Sequence, residues 1–242
     1  MIDLHSHILP GLDDGARDMQ EALKMAAMAA ESGVSAMAVT PHCVHGDAQE
    51  VFEAWKLLQR QLRREEIPLK LYVGMEIFGT PETAELLRKE QLLTLNGSRY
   101  PLIEFGFYTD GEAETEILES VIQAGYRPVV AHPERYEYVQ RDPELINLWH
   151  KMGCLLQINR GSLLGRFGSA ARELALALVD RGFAALVASD AHSAQMRTPW
   201  MADARKLLRE EFPAGASRCL LHDNPRKILN DEDMPVVEPG WF

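Results

Sequence analysis

Seven short apolar runs, each followed by a helical stretch, constrain this chain more than any other feature of its sequence. The runs cover residues 2–5, 35–40, 70–76, 101–105, 127–132, 154–159 and 183–189. Most are continuous rather than alternating, as expected of parallel strands covered on both faces. Helical patterning covers residues 19–32, 48–66, 81–90, 112–124, 143–152, 169–181 and 199–211. Gly33, Gly125, Gly153 and Gly182 follow helical runs where a left-handed cap is needed, and Pro81, Pro143 and Pro199 sit where a first turn tolerates proline. The alternation predicts a parallel α/β fold, closed or open. Across 242 residues there is no interior Pro/Gly/Ser linker, low-complexity tract or fixed-period repeat, so residues 1–242 read as a single domain. Only the tail beyond about Asn230, with Asp231-Glu232-Asp233, reads as loose peripheral structure.

Side chains able to hold metal fall at the ends of these runs. His5 and His7 end the first, His42 follows the second in Thr-Pro-His, Glu76 closes the third and Glu104 the fourth. His132 ends the fifth in Ala-His-Pro-Glu-Arg, and Asp190 with His192 ends the seventh in Ser-Asp-Ala-His. Parallel barrels build their sites at the C-terminal ends of several strands, so His, Asp or Glu at six of seven ends points to one shared site. His5-Ser-His7 places both imidazoles on one face of a strand. Glu76, after Leu-Tyr-Val-Gly-Met, ends a buried strand with a charge that needs a partner. Imidazoles and carboxylates without thiolates suit Mn, Zn or Fe, and ligands of this kind do not separate the three. There are too many ligands for one tetrahedral ion, so a two- or three-metal centre follows, with Glu76 the best bridging carboxylate.

His5-Ser-His7-Ile-Leu-Pro-Gly-Leu-Asp13-Asp14-Gly, Thr40-Pro-His42, Ala131-His132-Pro-Glu-Arg135 and Ser189-Asp190-Ala-His192 resemble the PHP (polymerase and histidinol phosphatase) superfamily. Within it, the chain is most similar to manganese-dependent tyrosine-protein phosphatases of capsule and exopolysaccharide synthesis. The resemblance runs from Met1 to about Leu229 and implies a distorted (β/α)7 TIM-like barrel with three Mn²⁺ ions. It implies that His5, His7, Glu76 and Asp190 hold the first metal, and Glu76, Glu104 and His132 the second. The third would take His42, His192 and one aspartate of the Asp13-Asp14 pair, Asp14 favoured, with Asp13 as the alternative. Arg135 would bind the substrate phosphate, and with Glu76 and Asp190 it makes up the catalytic set. Two positions depart from the family pattern: Cys43 replaces a second histidine common among relatives, and Arg160-Gly161 stands where small residues are expected.

The resemblance implies hydrolysis of protein phosphotyrosine by metal-bound hydroxide, the partner being the cytoplasmic tail of a kinase that controls polysaccharide export. A histidinol-phosphate-type phosphatase and a non-catalytic, metal-stabilised module are the alternatives. The net charge of −11 argues against gripping a nucleic-acid backbone. The start of the chain lacks a basic n-region with an apolar h-region, and no apolar run approaches the ~20 residues of a membrane span, so a cytoplasmic protein without a span is expected. Three scattered cysteines give no disulfide framework. Cys154-x5-Arg160 matches the spacing of cysteine-dependent phosphatases, but no glycine lies between the two and the intervening residues read as a strand. The helix from Met19 reads as core packing, the Arg60-to-Arg64 cluster as a solvated helix end, and His45, His150 and His222 as surface or satisfied histidines.

Overall fold

A computed structural model describes residues 1–43, 48–235 and 238–242, so His45 lies outside the described residues. Among the described residues nine short strands occupy the seven expected staves: β1 (Ile2–Asp3), β2 (Ala36–Val39), β3 (His42–Cys43), β4 (Lys70–Val73), β5 (Glu76–Phe78), β6 (Leu102–Glu104), β7 (Val129–Ala131), β8 (Leu155–Asn159) and β9 (Ala184–Ala188). Every pairing among them is parallel, in the orders β1-β2-β4 and β3-β5-β6-β7-β8-β9. The second and third staves are each broken once, at Thr40-Pro41 and at Gly74-Met75, which the continuous apolar runs did not foretell. Proline offers no N–H to a ladder, and at Gly74 an added Cβ would lie 3.2 Å from Leu95.

The barrel closes between its first and last staves. Ser6 bridges Ala191, Asp190 N–H donates to the His5 carbonyl (2.9 Å) and His7 N–H to the Ala191 carbonyl (2.8 Å). Lower in the same seam the Asp3 carboxylate replaces ladder bonds, accepting from the Ser189 N–H at 3.0 Å. Closure is what makes the sheet a distorted seven-stave α/β barrel, and it brings His5, His7 and Asp190 together.

Period-two alternation divides the strand residues between two apolar clusters. Ile103, Val130, Leu156, Ile158 and Val187 pack outward with helix residues such as Met25, Leu58, Leu118 and Leu178. Leu102, Val129, Ala131, Leu186 and Ala188 form the other cluster, together with Ile228, Leu229 and Met234. The helix Asn224–Leu229 therefore plugs the barrel. The tail after it is not loose: Asp231 accepts from the Arg99 Nε (3.0 Å), the Glu232 carbonyl from the Tyr100 hydroxyl (2.7 Å), and Met234 is buried. Among the described residues no helix is long and apolar enough to cross a membrane.

Arg160, unexplained by sequence, is a structural residue. It is 3% exposed, its Nε donates to Asp203 at 2.7 Å and its Nη1 to the Thr198 carbonyl at 2.9 Å. The pair ties the end of β8 to the helix Ala202–Glu211. Cys43 lies half-buried in β3, against the outer core cluster. Asp203→Ala leaves the Arg160 guanidinium buried without its carboxylate, and should lower the unfolding free energy by about 3 kcal/mol. Urea denaturation measures this. A loss below about 1 kcal/mol would reduce the pair to an ordinary surface bridge.

Candidate metal centre

The C-terminal strand ends deliver nine histidines and carboxylates to one place, in three overlapping groups of ligand-capable atoms plus His132. His5, His7, Glu76 and Asp190 form the first and are all buried. Their His5 and His7 Nε2 atoms lie 3.2 Å apart, and 3.0 and 3.1 Å from Glu76 Oε2. His7, Asp14, His42 and His192 form the second, with Asp14 Oδ1 3.5 Å from His42 Nε2 and 3.3 Å from His192 Nε2. His42, Glu76 and Glu104 form the third, His42 Nδ1 reaching Glu76 at 3.1 Å and Glu104 at 2.8 Å. His132 joins through Glu76 Oε1 at 2.9 Å. The sequence grouped it with Glu104; here His42 is the histidine beside Glu104.

Glu76 Oε2 is buried and lies within 3.1 Å of three imidazole nitrogens, yet accepts no well-formed hydrogen bond. Short distances without hydrogen-bond direction are what converging lone pairs produce. The outer partners point the same way. The second nitrogen of His7 faces the Asp13 carboxylate (2.7 Å), that of His5 the Gln157 Oε1 (2.8 Å), and that of His192 the Asp190 carbonyl (3.0 Å). Each of these oxygens can only accept, so each Nδ1 carries the hydrogen and each Nε2 lone pair turns to the centre. Asp13 is thus the partner behind His7, also accepting from the Gly15 and His42 N–H groups, while Asp14 stands among the ligand-capable atoms. The residues fit a metal cluster.

The backbone is bent to make this possible. His132 (φ 34°) and Asp190 (φ 51°) both lie in the left-handed region, a strain of about 1–3 kcal/mol each. A Cβ on Gly15 would meet the His7 carbonyl oxygen at 2.0 Å, so only glycine lets this loop pass behind the histidine.

Two arginines overhang the centre. Arg135 Nη1 donates to Asp190 Oδ2 at 3.1 Å, and its guanidinium lies between Phe167 (4.2 Å) and Phe107 (4.9 Å). Arg197 contacts the same oxygen, and its Nη1 is 3.1 Å from His192 Nε2. Sequence reasoning missed Arg197, Phe167 and Phe107, which sit in loops without periodicity. It also passed over Gln157 and Asn159, whose amide donates to Asp190. Two polar residues at period two inside an apolar strand were a signal for them. Cys154 is buried at the base of β8, and burial pushes its thiol up to about 12, far from the thiolate that a cysteine phosphatase requires.

A seven-stave α/β barrel carrying, at its strand ends, a cluster of histidines and carboxylates able to hold metal is the class that fold and site define. A family model for capsular polysaccharide synthesis proteins, CpsB/CapC, matches residues 1–230, and the chain belongs to that family. It is 38% identical over 236 residues to the tyrosine-protein phosphatase YwqE of Bacillus subtilis, covering 96% of this chain and 92% of the relative. The tyrosine-protein phosphatase CpsB of Streptococcus pneumoniae is 32% identical, covering 96% and 99%. A solved chain from the structures of YwqE and CpsB, described as unique metal-dependent tyrosine phosphatases, superposes with a TM-score of 0.91 at 34% identity, covering 99% of each chain. Histidinol phosphate phosphatase from Lactococcus lactis (TM-score 0.55, 15% identity, covering 88% and 94%) shares the fold.

Burial opposes charge on His5, His7 and His42, but the surrounding carboxylates outweigh it and raise all three above the usual imidazole pKa. His192 moves the other way, to about 3, through burial and then the charges of His7 and Arg197. A raised histidine contributes stability that is complete below the unfolded value near 6.5 and is lost as pH rises through the folded pKa. A lowered histidine contributes stability that is lost as pH falls from about 6.5 towards its folded pKa. The chelator-stripped protein should therefore be most stable at about pH 6–7, weakening on the alkaline side through His5, His7 and His42 and on the acid side through His192. Metal displaces these protons and should flatten the alkaline limb. Thermal midpoints from pH 5 to about 9, with and without chelator, test this; identical profiles would refute it.

Proposed function

We propose that this chain is a manganese-dependent phosphatase acting on phosphotyrosine in proteins of polysaccharide synthesis. The observation that carries the reading is the convergence of nitrogens of His5, His7 and His42 within 3.1 Å of one buried Glu76 oxygen that accepts no well-formed hydrogen bond. His5, His7, Glu76 and Asp190 would hold one metal and Asp14, His42 and His192 another; Glu76, Glu104 and His132 would hold a third, with His42 reaching the same two carboxylates. Histidine-rich sites suit Mn over Mg, which prefers an all-oxygen, partly hydrated shell. Bound there, such ions would draw charge off phosphoryl oxygens and make water acidic near neutral pH.

The chain's own residues supply orientation. Arg135 and Arg197 both reach over Asp190 from the open side of the centre, where Asp14 is exposed. A guanidinium there can hold two phosphate oxygens in a fork, and the phenylalanine faces beside Arg135 restrict its rotation. Asp190 divides its work between its oxygens: Oδ2 holds the arginines and the Asn159 amide, while Oδ1 faces His5, His7 and His192. The names of its relatives, tyrosine-protein phosphatases, and a family model described by capsular polysaccharide synthesis support a polysaccharide-export kinase tail as the substrate, reached from the cytoplasm.

Chelation should abolish turnover of a phosphotyrosine peptide, Mn²⁺ restoring it better than Mg²⁺. Glu76→Ala should cut both metal content and rate by orders of magnitude, whereas Cys154→Ser should leave the rate nearly intact. Arg135→Ala should keep its metals and lose about 10²-fold in kcat, roughly 2.7 kcal/mol, with Arg135→Lys restoring only part. Undiminished turnover by the metal-stripped protein would refute the centre, and rapid cleavage of histidinol phosphate with phosphotyrosine left intact would refute the substrate.

A further inference from the structure

Arg60 and Arg63, which read as part of a solvated helix end, line a groove of about 750 Å³ between the helix Ala48–Arg64 and the strand β4. Lys56, Arg60 and Arg63 recur at i, i+4 and i+7, so they share one helix face, and Lys70 at the start of β4 faces them across the groove. No Asp or Glu lines it, in a chain with 36 acidic residues and a net charge of −11. None of these four cations has an ion pair among the described residues, whereas Arg99, Arg160 and Arg218 each hold a carboxylate within 3.0 Å. Two of them lie over rings of their own element, Lys56 over Phe52 (4.3 Å) and Lys70 over Tyr72 (4.5 Å).

The floor is apolar, formed by Trp55, Ile67 and Leu69. The Trp55 Nε1, sealed from solvent, has no hydrogen-bond partner among the described residues. Gln59 closes one end, accepting from the Leu71 N–H at 2.7 Å and so holding helix and strand together. Ser35 precedes β2 and Lys70 opens β4, which puts the groove at the N-terminal ends of the strands, on the barrel face opposite the metal centre. Nothing that binds here competes with that centre.

We infer that this groove is a docking site for an acidic polypeptide segment of a partner protein, its carboxylates meeting Lys56, Arg60, Arg63 and Lys70 and its apolar side chains seating on Trp55 and Ile67. Charge complementarity names the acidic side of the partner. The concave apolar floor favours a peptide over a lipid surface, which a flat, protruding basic face would suit better. The chain's overall negative charge repels a long nucleic acid, while a short acidic segment responds mainly to the charges within a Debye length of about 8–10 Å.

The test is fluorescence anisotropy of the full chain, metal-loaded, with a labelled peptide alternating Glu and Phe and its Gln-for-Glu counterpart. The acidic peptide should bind, weaken with added salt, and bind at least tenfold less well to the Lys56→Glu, Arg60→Glu, Arg63→Glu triple variant. A control with Lys24→Glu, Lys206→Glu and Arg209→Glu matches the change in net charge elsewhere on the surface and should bind as the parent does. The groove variant should keep its thermal midpoint and its turnover of a small aryl phosphate. Equal binding by the groove variant, equal loss in the control, or no binding of the acidic peptide would overturn the proposal. So would tighter binding of phosphatidylglycerol vesicles or single-stranded DNA than of the peptide.

Discussion

A buried carboxylate surrounded by imidazoles governs this molecule. Glu76 is fully buried, and an isolated charge in such a place costs far more than folding can offset unless positive charge meets it. His5, His7, His42 and His132 meet it on both oxygens. Raised imidazole pKa values are the same fact seen from the other side: protons gather where positive charge is wanted. A cluster that draws protons in this way is one that divalent metals can take over, displacing protons from their ligands as they bind. The rest of the barrel serves to hold these groups at the required separation.

That service is visible in how the strand ends depart from regularity. Staves two and three break just where His42 and Glu76 must turn inward, so that β3 and β5 pair with each other in a register placing His42 beside Glu76. His132 and Asp190 leave their strands in a left-handed conformation that neither residue favours by itself. Asp13, Gln157 and the Asp190 carbonyl each spend a hydrogen bond on fixing an imidazole rather than on joining elements. Strain and polarity are concentrated at the C-terminal rim, and the two apolar clusters below it supply the offset.

Much of this was legible in the sequence because it rests on periodicity. Continuous apolar runs gave away seven parallel staves, and a chemistry-bearing residue at the end of a stave can only project at the rim. The eight residues singled out on that basis are gathered by the fold, and Asp14, which only the family resemblance named, joins them. Three kinds of feature were not legible. Asp13 and Asp14 are neighbours on a loop, and only the three-dimensional path shows which faces His7 Nδ1 and which faces His42 and His192. The docking of the tail depends on contacts such as Arg99 to Asp231, 132 residues apart, for which no local pattern exists. Arg197 and Phe167 lie in segments whose positions are set by packing rather than by repeat.

The arrangement around Phe167 shows why such residues matter even though the sequence hides them. Arg135 and Arg197 carry like charges and approach the same Asp190 oxygen, so mutual repulsion would drive them apart if each were free to move. Both guanidiniums lie over the Phe167 ring, Arg135 at 4.2 Å and Arg197 at 5.8 Å, and the negative face of that ring attracts each of them. Phe167 in turn sits against Gly161, where an added Cβ would come within 2.4 Å of the ring. Glycine after Arg160 is therefore needed for the ring to lie there, and the ring for two cations to share one side of the centre. Arg160 belongs to the same chain of causes, because its pair with Asp203 fixes the end of β8 from which Gly161 departs. The pair Arg160-Gly161, which looked anomalous against the family pattern, thus connects barrel stability to the two arginines beside the metal centre.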